Sequence, residues 1–298
     1  MVLEDVYMLD EDATTQRLAL VHDDVTGAFA VAAETSVGQP GAALFLDSAV
    51  TFMGPNGTTD EALVLVETDP DTGAIAEVYL HPLSPIHPKT GYTLVTVDQN
   101  GARAKLAESA CVSFTRGTHI TMADGRQVLV EDLAPGDRIL TKDNGAQVLR
   151  WIGMQTVRAT GAFAPIVIAA GAMNNAGPLT VSPNHRLFIY QRVDTIGAGQ
   201  KEVLVKARNL VNGTSVVASQ GGFVDYFQLL FDKHEIIFAE GIASESLFVD
   251  TTTRPIVPHD VRARLLGDAA PVRAGHELRS SDLAAKDAVS VLKRASTM

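Results

Sequence analysis

Cys111-Val112-Ser113-Phe114-Thr115-Arg116-Gly117-Thr118-His119-Ile120-Thr121 is the stretch on which the reading of this chain turns. It holds the only cysteine of the 298 residues. The turn Asp124-Gly125 follows, then Val130-Glu131-Asp132-Leu133 and Pro135-Gly136-Asp137-Arg138-Ile139. β-Branched and aromatic residues in short runs between turn signals predict strands rather than a helix. By composition alone a solitary cysteine is a small buried apolar residue. With no second cysteine, no intrachain disulfide can form, so any chemistry at Cys111 must be that of its thiol.

Outward from this stretch, the same pattern continues. Short strands are expected at 120–122, 127–130, 138–140, 147–152, 166–168, 179–181, 186–189, 201–206 and 235–239. Asp124-Gly125 and Asn144-Gly145 read as two-residue hairpin turns. Residues 1–110 also read as β-rich, with runs at 17–22, 42–46, 62–67, 76–80 and 92–97 and no 3.6-residue period. A small sandwich or open sheet suits them. Beyond 250, Pro255, Pro258 and Pro271 break the chain, and 281–294 reads as an amphipathic helix with Ser281 as N-cap and Leu283, Val289 and Leu292 near one face. The expected class is all-β, in three parts: a β-rich domain 1–110, a β domain 111–250, and a tail 251–298 with a short helix.

Composition narrows the partners. Apolar residues make up 46% and charged residues 20%, an ordinary globular balance. No run reaches the roughly 18 apolar residues of a membrane-spanning helix. The net charge of −11 argues against a nucleic-acid partner, because phosphates repel an acidic surface. The start, with Glu4, Asp5, Asp10, Glu11 and Asp12, lacks the basic and apolar regions of a cleaved secretory signal. These features fit either the cytoplasm or export without such a signal.

Three blocks carry a resemblance. The first is the stretch from Cys111 to Ile139 already quoted, continuing through Asp143-Asn144-Gly145 to Arg150-Trp151-Ile152-Gly153. The second is Thr180-Val181-Ser182-Pro183-Asn184-His185-Arg186, and the third is His234-Glu235-Ile236-Ile237-Phe238-Ala239-Glu240-Gly241 within 226–246. In this order and spacing they resemble the Hedgehog/intein (Hint) superfamily, and the 143–153 continuation looks like its bacterial subgroup. The resemblance covers about 140 of the 298 residues. It implies a compact, pseudo-twofold, all-β horseshoe over residues 111–250, and autocatalytic breakage of the Ala110–Cys111 bond. It implies Cys111 as nucleophile, His185 as the proton donor and Ser182 in the place of the family's threonine. His234 falls on a further family position, with a role in the core or in the second step.

The residues themselves suit that chemistry. A peptide bond resists attack because resonance stabilises it. The thiol of Cys111 can reach the carbonyl carbon of Ala110 through a five-membered ring, which gives a large effective concentration. The departing amine needs a proton, and histidine can give and take one near neutrality. A Ser182 hydroxyl can hydrogen-bond the scissile amide. Each residue also has a plain reading: His185 as a hydrogen-bonded turn residue, Ser182-Pro183-Asn184 as an ordinary turn. Asp232 and Glu235 flank His234 and could pair with it, but one histidine and two carboxylates do not make a metal site. No cofactor and no metal are expected.

The sequence departs from the family in ways that bear on the outcome. The positions of the terminal His-Asn of splicing inteins hold Glu245 and Ser246, so splicing is not expected. Phe227 stands where inteins carry an acidic residue, Gln228 where bacterial relatives carry histidine, and Gly153 where the Hedgehog branch carries a general-base aspartate. The expected reaction is therefore self-cleavage through a thioester, resolved by water or another nucleophile, with the chain's own N-terminal part as substrate. A Hint scaffold that folds without cleaving is the alternative, and a cysteine hydrolase acting on other molecules through Cys111 and His185 is a third. In residues 1–110, Asp69-Pro70-Asp71-Thr72-Gly73 resembles a fragment of a calcium loop but lacks its later ligands. Asn56-Gly57-Thr58 and Asn212-Gly213-Thr214 match glycosylation acceptors and also read as Asn-Gly turns.

Overall fold

The computed structural model describes residues 1–22, 28–191, 199–250, 252–265, 276–278 and 289. Strands dominate, as expected. They fall into two compact units: 1–109 with 160–162 and 250–256, and 110–159 with 163–249 and 257–298. The tail expected over 251–298 is thus divided between them. The helix expected over 281–294 lies outside the described residues apart from Val289, which is buried. A short helix, His259–Leu265, precedes it.

The first unit is built on one seven-stranded antiparallel sheet. Its spine is the hairpin Ala43–Met53 and Thr59–Thr68, flanked by Tyr92–Asp98 and Ile75–Pro82. Val50, Phe52, Ala62, Val64, Tyr92 and Leu94 pack on one face. Asp69 spends its carboxylate on its own turn, accepting from the backbone N–H of Asp71 and Thr72 and from the Thr72 hydroxyl. Asn56 caps its turn in the same way, as Asn212 does in the second unit. Among the described residues no cluster of three His, Cys, Asp or Glu side chains could hold a metal. The β-only reading of this region missed one element, the helix Ala102–Ala110. Alanines at 102, 104, 107 and 110 favour a helix, but so short a segment shows little periodicity.

The second unit has two sheets around one core. In the nine-stranded sheet, Gln127–Leu129, His119–Thr121, Ile236–Ala239, Ile242–Glu245, Arg186–Tyr190 and Glu202–Lys206 lie side by side, with His276–Glu277 at the edge. The six-stranded sheet runs Trp151–Arg158, Phe223–Leu230, Phe114–Thr115, Leu179–Val181, Ile166–Ile168, Val216–Ala218. Ile120, Ile139, Leu187 and Ile237 from the first sheet meet Phe114, Ile168, Leu179 and Phe227 from the second. Fully buried residues alternate with half-buried ones along Ile166–Ile168 and Leu179–Val181, because successive side chains point to opposite faces, whereas Arg186–Tyr190 and Glu202–Lys206 are each buried over three consecutive residues.

Two details differ from the sequence reading. The run 147–152 is not one strand but the end of Gly145–Val148 and the start of Trp151–Arg158, which belong to different sheets. Leu149 sits buried at the crossover with its N–H on Asp137 and that of Arg150 on Leu230. No glycine or proline marks the change of sheet, so local signals could not reveal it. The turn at 122–126 closes over three residues, with Gly125 at φ 86°, the left-handed position that ends a three-residue hairpin loop.

The tail contributes to this core. His276–Glu277 pairs in parallel with Glu202–Lys206, and Leu278 is buried with its N–H on Leu204. Truncating a fully buried leucine costs about 2–5 kcal/mol. Leu278→Ala is therefore expected to lower the urea-unfolding free energy of the second unit by about 2–4 kcal/mol; a change within 0.5 kcal/mol, about the size of a surface substitution, would mean that the tail is not part of the core.

Candidate functional site

The two-residue strand Phe114–Thr115 places the site. It lies between Phe223–Leu230 and Leu179–Val181, with Phe114 opposite both Phe227 and Val181. Antiparallel register then sets Ser113 between Gln228 and Ser182, and Gln228 in turn lies opposite Gly153. Four positions, Gly153, Gln228, Ser113 and Ser182, form one row across four strands. The sequence reading had singled out three of them separately.

Hydrogen bonds tie this row together. Ser182 N–H donates to the Ser113 carbonyl at 2.9 Å, and Ser113 N–H donates to Ser182 Oγ at 3.1 Å. Ser182 Oγ–H donates to the carbonyl of Cys111 at 2.9 Å. That carbonyl belongs to the 111–112 peptide, so Ser182 bonds the backbone just after the bond expected to break rather than the scissile amide itself. Gln228 Nε2 donates to Ser113 Oγ at 2.8 Å. Cys111, Ser113, Ser182 and Gln228 are all buried.

His185 joins the row through the same serine. Its Nδ1 lies 3.2 Å from the Ser113 carbonyl and its ring meets Phe114 edge-on at 4.5 Å. A carbonyl only accepts, so Nδ1 carries the hydrogen and Nε2 presents a lone pair. Nε2 is buried and has no hydrogen-bond partner among the described residues. Complete burial pulls the imidazole pKa down to about 4; Glu245 and the Ser113 carbonyl pull it up, and Arg186 pulls it down. His185 is therefore neutral at pH 7.

A buried charge cluster stands beside it. Arg186 pairs with Glu245 at 2.9 Å and with Glu277 at 2.6 Å, and Lys206 holds Glu277 at 2.7 Å. Burial alone would push the Glu277 carboxyl up, but Arg186 and Lys206 outweigh it and hold it below the usual range. His234 belongs to this cluster: its Nε2 is 3.2 Å from Glu245 Oε2, and its ring packs against Phe248. So Glu245 links His234 to the residue following His185. The flanking carboxylates that by sequence could pair with His234 are engaged elsewhere, Asp232 with Arg150 and Glu235 with Asn144. Sequence reasoning missed Ser113 and Arg186. Ser113 could have been found, since it lies two residues from Cys111 in the same block of sequence.

With this geometry in hand, comparison with known families is decisive for one segment. Residues 112–251 match the family model of the Hint domain. This segment is a Hint domain. Cys111 immediately precedes the matched span, and Ser182, His185, Gln228 and His234 fall within it. Among solved structures, the chain is similar to a variant of the Ssp DnaB mini-intein, with 10% identity and a TM-score of 0.30, over 47% of this chain and 97% of that one. No curated protein matches the sequence.

The neutral burial of His185 has a thermodynamic consequence. Its pKa is near 4 in the folded chain against about 6.5 when unfolded. The unfolded state therefore binds the extra proton, and stability falls as pH drops from 6.5 towards 4. His185 is expected to cost the fold about 2 kcal/mol between about pH 7.5 and about pH 5, read as the difference in urea-unfolding free energy. The His185→Gln variant should lack this component; an equal loss in both proteins would show that His185 is not buried neutral.

Proposed function

We propose that the Hint domain cleaves the Ala110–Cys111 bond of its own chain through a thioester. The observation that carries this reading is that Ser182 and Ser113 tie the Cys111 segment to a neutral histidine whose buried Nε2 presents a lone pair. Cys111 is the nucleophile. Its sulfur bonds to the Ala110 carbonyl carbon, the carbon–nitrogen bond breaks, and the Cys111 nitrogen becomes an amine.

The protons balance without an external acid. His185 at rest is not an acid, because its pKa lies near 4. It takes the thiol proton on Nε2, and the imidazolium so formed is a strong donor that passes the proton to the leaving nitrogen. Low basicity makes the second transfer easy. Ser182 holds the backbone of 111–113 by bonding the Cys111 carbonyl and the Ser113 amide at once. His234 acts through Glu245 on the Arg186 side of the cluster. The thioester is resolved by water or another nucleophile, releasing or transferring residues 1–110. Glu245 and Ser246, in the place of a terminal His-Asn pair, leave no asparagine to cyclise, so splicing is not part of the reading.

The alternative, a Hint scaffold that folds without cleaving, gives the opposite result in one experiment. Intact masses of the full chain are recorded beside Cys111→Ala and His185→Ala, with and without dithiothreitol. Wild type should split between residues 110 and 111, faster with thiol. Cys111→Ala should stay whole, and His185→Ala should slow by about 100-fold or more, the usual contribution of a general acid–base. Full-length mass in every sample from about pH 6 to 9 would establish the scaffold.

A further inference from the structure

We propose that Gln228 and Ser113 are positioning residues for His185: the Gln228 amide holds the Ser113 side chain, and Ser113 in turn presents the carbonyl that selects the Nδ1–H tautomer of the imidazole. This inference rests on the reading that His185 serves the Cys111 reaction. Its geometry is nevertheless testable without that reaction.

Ser113 uses all of its polar groups within the row. Its carbonyl receives both Ser182 N–H and His185 Nδ1, its N–H goes to Ser182 Oγ, and its hydroxyl receives Gln228 Nε2. It lies just before the two-residue strand Phe114–Thr115, where few ladder bonds restrain the backbone. The Gln228 tether therefore matters more here than it would mid-strand. Gln228 is 2% exposed, so water cannot readily replace its amide if it is lost.

Gly153 makes the arrangement possible. A Cβ at 153 would strike the Trp151 ring and lie 2.8 Å from Gln228 Oε1. Position 153 is empty of side chain because Gln228 and Trp151 occupy the space. Gly153 and Gln228, far apart in sequence, thus share one space across two paired strands.

The tautomer decides the direction of proton flow. With hydrogen on Nδ1, Nε2 is the base. If the Ser113 carbonyl moved away, the hydrogen could sit on either nitrogen, and part of the population would lose that lone pair. The other groups acting on the ring are the Phe114 face and the charges of Glu245 and Arg186, none of which accepts from Nδ1.

The test is a histidine-selective ¹⁵N spectrum of the full-length Cys111→Ala chain, which cannot form the thioester. His185 should show one tautomer with Nδ1–H and titrate far below the ordinary histidine value. Gln228→Met keeps the length and removes the donor; Ser113→Ala removes the acceptor. Both should give mixed tautomers and move the titration further below the ordinary value, because the Ser113 carbonyl is one of the groups that pull it up, while Gln228→His, which retains a ring N–H, should return the single tautomer. In the chain bearing Cys111, Gln228→Met should slow cleavage about tenfold, the weight of one buried hydrogen bond. An unchanged tautomer and titration in both folded variants overturns the proposal. If the tautomer responds as stated but no chain cleaves, the positioning holds and the self-cleavage reading fails.

Discussion

The constraint on which the second unit depends is the seating of a very short strand. Phe114–Thr115 has partners on both sides, and it brings the Cys111 segment into the six-stranded sheet. Two residues of ladder fix register but hold little by themselves. The side chains of Ser182 and Gln228 extend the pairing one residue further, at Ser113. Side-chain hydrogen bonds thus do here what a longer strand would do with backbone bonds. They leave the backbone at Cys111 held on its carbonyl side by Ser182.

Around this row the domain separates its polar groups by kind. The Ser113 row is neutral: two hydroxyls, an amide and an uncharged imidazole. The charges stand one residue away, in the cluster of Glu245, Arg186, Glu277 and Lys206. Burying charges is costly unless each finds partners, and here every carboxylate faces at least one cation. The separation has a chemical effect. A carboxylate directly on His185 would raise its pKa and keep it protonated at rest; Glu245 instead bonds Arg186 and His234, and burial dominates at His185. The tail enters the same balance, because Glu277 comes from the edge strand His276–Glu277.

The first unit is of a different character. Its turns satisfy their own backbones, as at Asn56 and at Asp69, whose carboxylate receives three donors from its own loop. One buried carboxylate, Glu67, serves a structural purpose, accepting from Tyr79 at 2.6 Å and from the Gln39 amide at 2.8 Å.

Much of this was legible in the sequence. Strand runs such as 166–168 and 179–181 have the bounds expected from their β-branched alternation, because both are short buried strands in which local preference and burial agree. The spacing of Cys111, Ser182, His185 and His234 suggested the domain because reactive side chains in one fold recur at characteristic intervals. What the sequence could not express was adjacency. Ser113 and Gln228 are 115 residues apart, and only strand pairing makes them neighbours; the same holds for Gly153 and the side chain that fills its space. Nor could residue type alone show that His185 is neutral, since the pKa of an imidazole depends on how much water surrounds it. Sequence determined the kinds of group and their order; tertiary structure decided which of them touch and in which protonation state, because burial and register are properties of the packed chain and not of any segment within it.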